Sequence, residues 1–189
     1  MLGYNPKIGI QYDPAKARAL LAEAGYPEGK NFPKTTFMFD TRDDNKVIAE
    51  RLQDQWRKVL SIALDAQNEE WKVYLNRLRS DAPGLFRHGW GADFPDPDNF
   101  MNMFTSYSGN NFTKWKSEEY DSMTELAASE ASPQKRIALY NKLQKNLTEE
   151  NAVIVPIFID AINILVSPSV KGLQIDSLGL LKINKVEIQ

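Results

Sequence analysis

Apolar residues recur along this chain in two alternating rhythms, one helical and one extended. The first helical stretch covers 12–25. Asp13 stands where an N-cap belongs, Pro14 suits the first helical position and Gly25 suits the stop. Ala17, Leu20, Leu21 and Ala24 share one face. Residues 34–40, rich in β-branched and aromatic side chains, then predict a strand. Over 44–60 the apolar positions Val47, Ile48, Leu52, Trp56, Val59 and Leu60 return to helical spacing. A strand over 61–67, a short helix over 71–78 and a third strand over 84–91 follow. Trp56 and Trp71, spaced helically among aliphatics, are expected in the core.

After Pro97 a helical turn carries Phe100, Met103 and Phe104. Ser117 caps a helix over 117–128, whose first turn holds Glu118 and Glu119 near the positive end of the helix dipole. A helix over 133–149 presents Ile137, Leu139, Tyr140, Leu143 and Leu147. Further strands are predicted over 153–159, 162–166 and 180–188. Strands alternating with helices give an α/β lobe with a mixed sheet flanked by helices. The loosest stretches, 3–9 and 167–179, mark the boundaries. The strand-like tail, 180–189, has no evident helix or hairpin partner.

Composition narrows the function. The chain has 189 residues, 42% hydrophobic and 25% charged, which suits one domain with a real core. A net charge of −2 gives no electrostatic case for nucleic acid or an anionic membrane. The most apolar run, 152–166, is interrupted by Pro156, Asp160 and Asn163 and reads as strands rather than a bilayer span. Cysteine is absent, which excludes disulfide frameworks, thiolate catalysis and cysteine-based metal sites. The opening residues lack the basic and apolar regions of a secretory signal. The chain is therefore read either as cytosolic or as an excised piece of something longer.

Candidate chemistry gathers in Arg87-His-Gly-Trp-Gly-Ala-Asp-Phe-Pro-Asp-Pro-Asp-Asn-Phe100. A strand ends there, and a charged pair at a strand end suits the lip of a cleft. Asp93 could hold an ammonium group and Arg87 a carboxylate. Trp90 supplies a flat wall, and Gly89 and Gly91 let another backbone approach closely. Each residue also has a plainer reading: a turn aspartate, a salt-bridge arginine, an aromatic covering the core.

Four blocks, in order, resemble the peptide-binding solute receptors of ABC importers, the oligopeptide and dipeptide group. They are Asp13-Pro-Ala-Lys-Ala-Arg-Ala-Leu-Leu-Ala-Glu-Ala-Gly-Tyr-Pro27; Gly89-Trp-Gly-Ala-Asp-Phe-Pro-Asp-Pro-Asp-Asn-Phe100; Ser108-Gly-Asn-Asn111 with Trp115 and Tyr120-Asp121; and Arg136-Ile-Ala-Leu-Tyr140 followed by Ala152-Val-Ile-Val-Pro156. The resemblance implies one lobe of a type II periplasmic-binding-protein-like fold, over 1–179, in a two-lobed receptor that closes on extended peptides. Residues 180–189 would be the strand returning to the missing N-terminal lobe. It further implies that Asp93 binds the peptide α-amino group, that Arg87 helps to hold its carboxylate end, and that Trp90 belongs to the ligand pocket. The Gly89, Trp90, Gly91 and Ala92 backbone would offer strand-like hydrogen bonds to the peptide main chain. ABC permease subunits would be the partners, no cofactor or metal is implied, and the location would be periplasmic or lipid-anchored at the cell surface.

Other chemistries fit less well. Asp96, Asp98 and Asn99 invite a calcium-loop reading, but the required glycine and closing glutamate are missing, so Asp98 is read as a helix cap. His88 is the only histidine, too little for an ordinary metal site, although nickel-binding relatives exist in the superfamily. A glycosidase-like pair of Asp93 and Asp96 is the enzyme alternative. Nickel chelates and oligosaccharides are the alternative ligands within the family.

Overall fold

The computed structural model describes residues 4–161, 163–176 and 178–189. They form two compact units. One is Gln11–Gly89; the other joins the segment up to Ile10 to Trp90–Gln189.

Gln11–Gly89 is built as successive strand–helix–strand crossovers. Its elements are α1 (Pro14–Glu23), β1 (Thr35–Asp40), α2 (Asp43–Leu60), β2 (Leu64–Glu69), α3 (Trp71–Ser80) and β3 (Leu85–Phe86). The sheet order is β2-β1-β3 and every pairing is parallel. A central parallel strand is covered on both faces, which is why β1 reads as a continuous apolar run. Phe37 and Phe39 pack with Ala49 and Leu64, joined by Leu52 and Trp56 of α2. Met38 points the other way, and Tyr74 of α3 donates its hydroxyl hydrogen bond to the Met38 carbonyl at 3.1 Å.

Caps set the boundaries. Asp13 accepts from the Lys16 N–H at 2.9 Å, as the sequence predicts, with Pro14 in the first turn. Ser61 ends α2 in a left-handed conformation, φ 57°, which delays β2 to Leu64. Two expectations fail here. Trp71 is 47% exposed, because Tyr74 and Leu78 fill the inward face of α3. The apolar face of α1 buries no residue, and Leu20 is exposed. Helical spacing defines a face; it does not supply what covers it.

The other unit is helical at its centre. α4 (Asp98–Met101) runs into a 3₁₀ turn, followed by α5 (Glu118–Ser129) and α6 (Pro133–Lys145), which continues through a π-turn at Asn146–Glu150. Ser117 caps α5 through the Tyr120 N–H at 3.2 Å. Met103, Phe104, Tyr120, Ala127, Tyr140, Leu143 and Leu147 form the core.

The predicted strands that follow are corrected. Among the described residues, 153–161 and 163–166 belong to no strand or helix, and Ile162 lies outside the described residues. Val153 and Ile154 pack against the core, whereas Val155, Ile157, Phe158 and Ile159 stay exposed. β-propensity describes side chains that fit a pleated surface; a strand also requires a neighbour to pair with. The tail differs too. In place of one unpartnered strand there are two short ladders, β4 (Val170–Lys171) with β7 (Glu187–Ile188) and β5 (Gln174–Ile175) with β6 (Leu181–Lys182), both antiparallel. Antiparallel pairing therefore occurs outside the three-stranded sheet, which is wholly parallel.

Candidate functional site

Arg87 follows β3 directly. Its N–H donates to the Met38 carbonyl at 2.8 Å and its own carbonyl accepts from the Tyr74 hydroxyl at 2.6 Å. The side chain turns to Asp40, with Nη1 3.3 Å from Oδ1. Asp40 is buried at the end of β1 and also accepts from Asn45 Nδ2 at 2.8 Å. Removing the guanidinium would leave a buried carboxylate with one neutral partner, a costly state. Arg87 therefore has a structural role inside Gln11–Gly89. A planar guanidinium carries five donors in a fork, so one bond to Asp40 leaves capacity for a second carboxylate. The neighbouring His88 has its pKa lowered, first by burial and then by the Arg87 charge. Gly89 is exposed, and a Cβ there would meet the Arg87 guanidinium at an ordinary 3.5 Å.

The residues from Trp90 onward belong to the second unit. Trp90 is half-buried and packs against the Met103–Leu147 core, so its plainer role is realised. Its indole N–H donates to Asn99 Oδ1 at 2.9 Å, and the Asp93 backbone N–H donates to the same oxygen at 3.2 Å. Asn99 is only 5% exposed. Among the described residues the Asp93 carboxylate has no hydrogen-bond or ion-pair partner, and it is exposed. Ala92 is half-buried; Gly91 is exposed, and a Cβ there would meet nothing within 4 Å. Neither glycine is required by backbone strain or crowding from its own chain, so both leave the backbone open to an approaching chain.

Asp98 does not cap α4, whose start carries no side-chain cap bond; in the turn before it, Asp96 Oδ1 accepts from the Asp98 N–H at 2.9 Å. Asp98 instead accepts from Asn102 Nδ2 at 2.9 Å, and burial raises its pKa. Asp96 is also gripped by both terminal nitrogens of Arg136, at 2.7 and 2.8 Å. Those bonds hold the Asp96 carboxyl below the usual carboxylate range. The Arg136 Nε–H reaches the Ala127 carbonyl at 3.0 Å, and its plane lies over the Tyr140 ring at 5.0 Å. Burial raises the Tyr140 pKa to about 12, so that phenol stays protonated at neutral pH. The Asp96–Arg136 pair thus fastens the turn after Asp93 to α5 and α6. It also engages one half of the supposed carboxylate pair of Asp93 and Asp96.

The sequence signals for Asn99 and Asp96 were faint. Both sit in a turn-rich run where any one polar residue could be the cap, and Arg136 is 40 positions from its partner. A concavity of 330 Å³ along α2 and β2, lined by Thr41, Arg42, Lys46, Gln53 and Asn68, includes none of the predicted site residues. Among the described residues, no group of three or more His, Asp or Glu side chains is placed to hold a metal ion.

Known proteins resemble this chain in sequence and fold. Residues 1–112 match the model of the bacterial extracellular solute-binding proteins, family 5 (middle section). The chain is 31% identical to the periplasmic murein peptide-binding protein MppA of Escherichia coli over 163 residues, 86% of this chain and 30% of that protein. It is 33% identical to the periplasmic oligopeptide-binding protein OppA of Salmonella typhimurium over 158 residues, 83% of this chain and 28% of that protein. It thus spans about three-tenths of the length of these relatives. Among solved structures, the Escherichia coli murein tripeptide-binding protein MppA superposes with a TM-score of 0.80 at 30% identity, covering 90% of this chain and 34% of that one. Haemophilus influenzae OppA, solved in complex with the peptide RPPGFSPFR, superposes with a TM-score of 0.72 at 32% identity, covering 84% of this chain and 31% of that one. A family match over more than half its length, supported by these likenesses, makes the chain a member of the bacterial extracellular solute-binding proteins, family 5.

Proposed function

We propose that this chain is the part of an ABC importer's extracytoplasmic receptor that holds a peptide by its main chain and termini. The observation that carries the reading is Asp93: an exposed carboxylate without a partner among the described residues, on a backbone fixed by Asn99, next to Trp90. A carboxylate kept free of local cations is what a ligand ammonium needs. Peptide ligands are supported by relatives named for peptide binding and by the OppA structure that holds one. Gly89, Gly91 and Ala92 would supply the backbone edge along which the peptide lies, as in strand addition. Arg87 would assist at a ligand carboxylate while keeping its bond to Asp40. The role is binding rather than catalysis.

Three further readings rest on the family. The receptor works outside the cytoplasm, either free in the periplasm or held at the surface by a lipid. It delivers its ligand to permease subunits. Residues 180–189 return to the other lobe of the same receptor. The test is calorimetric titration of free-amine tri- to pentapeptides into the full receptor and its Asp93→Asn form. Loss of the charge should weaken binding by roughly 1–3 kcal/mol. Unchanged affinity would remove Asp93 from the site. Silence of the unmodified receptor towards every peptide would turn the search to nickel chelates and oligosaccharides.

A further inference from the structure

The segment that carries Asp93 begins at Trp90 and turns into α4 within nine residues. A loop of this kind, bearing one glycine and two prolines, has no ladder of its own to fix it. One side chain does that work here. Asn99 is 5% exposed, and its Oδ1 receives both the Trp90 indole N–H and the Asp93 backbone N–H. The Asn99 backbone N–H is itself tied to the Asp96 carbonyl at 3.1 Å, and Asp96 is locked by Arg136. A chain of bonds therefore runs from the helical core to the amide of Asp93 and ends at that residue's free carboxylate.

We infer that Asn99 is a positioning residue for ligand binding: one buried amide oxygen sets both the plane of Trp90 and the place of Asp93. This rests on the reading of Asp93 as the amine anchor. The chemistry needed is that of an acceptor: one side-chain oxygen takes two N–H groups at once, which an isosteric carboxylate could also do and an apolar side chain could not. An apolar residue of similar size would leave two half-buried donors unanswered and let the anchor drift. Asn99 touches no ligand in this role; it acts through the two residues it holds.

The experiment uses the full receptor with Asn99→Leu, Asn99→Asp and Asp93→Asn, and two probes, a free-amine tripeptide and its N-acetyl form. Asn99→Leu should raise Kd for the free-amine peptide roughly tenfold and leave the N-acetyl peptide within a few-fold, shrinking the preference between them. Asn99→Asp, which keeps the acceptor, should recover most of that preference. In ¹H–¹⁵N spectra without ligand, the Trp90 indole and Asp93 amide signals should shift and exchange faster in Asn99→Leu and remain near their original places in Asn99→Asp. A merely structural role would weaken both peptides equally and would not be rescued. Asp93→Asn separates the two ideas. If it abolishes the free-amine preference while Asn99→Leu keeps it, the inference is wrong and the anchor stands. If Asp93→Asn changes nothing, the anchor falls and the role of Asn99 in binding falls with it, whatever the spectra show.

Discussion

Replacing Arg136 by Met would test whether the turn after Asp93 is held from the helical core. The substitution keeps side-chain length and removes charge and donors. Arg136 is 18% and Asp96 30% exposed, so this is a sheltered pair that water still reaches. Charge-assisted bonds are worth about 1.5–3 kcal/mol each when removed from shelter. The two bonds to Asp96 act as one fork, and solvent screening of the carboxylate reduces the fork to roughly 1 kcal/mol. The bond to the Ala127 carbonyl and the contact with Tyr140 add about 1 kcal/mol more between them. The total, near 2 kcal/mol, lies below the ~3–5 kcal/mol seen when one partner of a fully buried pair is removed. The sign of the pH dependence follows from Asp96, whose carboxyl is held below its ordinary range chiefly by Arg136. That stabilisation is fully present above about pH 4 and is lost as pH falls through the lowered folded-state value. Urea unfolding of the chain, followed by tryptophan fluorescence, should therefore show Arg136→Met less stable by about 2 kcal/mol at pH 7, with a gap that narrows towards pH 3. A deficit under about 0.5 kcal/mol at pH 7, or one that does not change with acid, would refute the reasoning.

Two simpler substitutions address the packing of each unit. Tyr74→Phe removes the fully buried hydroxyl whose single proton lies between the carbonyls of Arg87 and Met38, nearer Arg87, and should cost about 1–2 kcal/mol in urea unfolding; a neutral result would mean that the Arg87 carbonyl finds another donor. Leu143→Ala opens a hole in the core between α5 and α6 and should cost about 2–5 kcal/mol, read as a lower unfolding midpoint; a loss below about 1 kcal/mol would show that the site collapses around the gap.

Local chemistry made much of this fold legible. Asp13, Pro14 and Gly25 announced α1, and Ser117 announced α5, because caps act within a few residues of themselves. The β-branched and aromatic run over 34–40 announced β1, although its central place in the sheet came only from the fold. What failed depended on neighbours distant in sequence. Val155 to Ile159 has the composition of a strand but no ladder among the described residues, and Trp71 has helical spacing yet stays about half exposed. The site shows the same division. Arg87, Trp90 and Asp93 stood out by type and spacing. Their partners did not: Asp40 lies 47 positions from Arg87, and Asn99 is one polar residue among several in a turn. Spacing can nominate a charged side chain; only the fold reveals which of them is already spoken for.

That distinction bears on how such a receptor could change its diet. At residue 93 the backbone is fastened through the amide, while the exposed carboxylate makes no bond among the described residues. Exchanging that side chain disturbs no packing, so if Asp93 anchors the ligand as proposed, a lineage can reverse the local charge in one step and present a cationic or neutral tip to a different solute. Arg87 offers no such freedom, because altering it strands Asp40 in the interior. Adaptation at this site is therefore asymmetric: the acidic position is free to drift, and the basic one is tethered to folding.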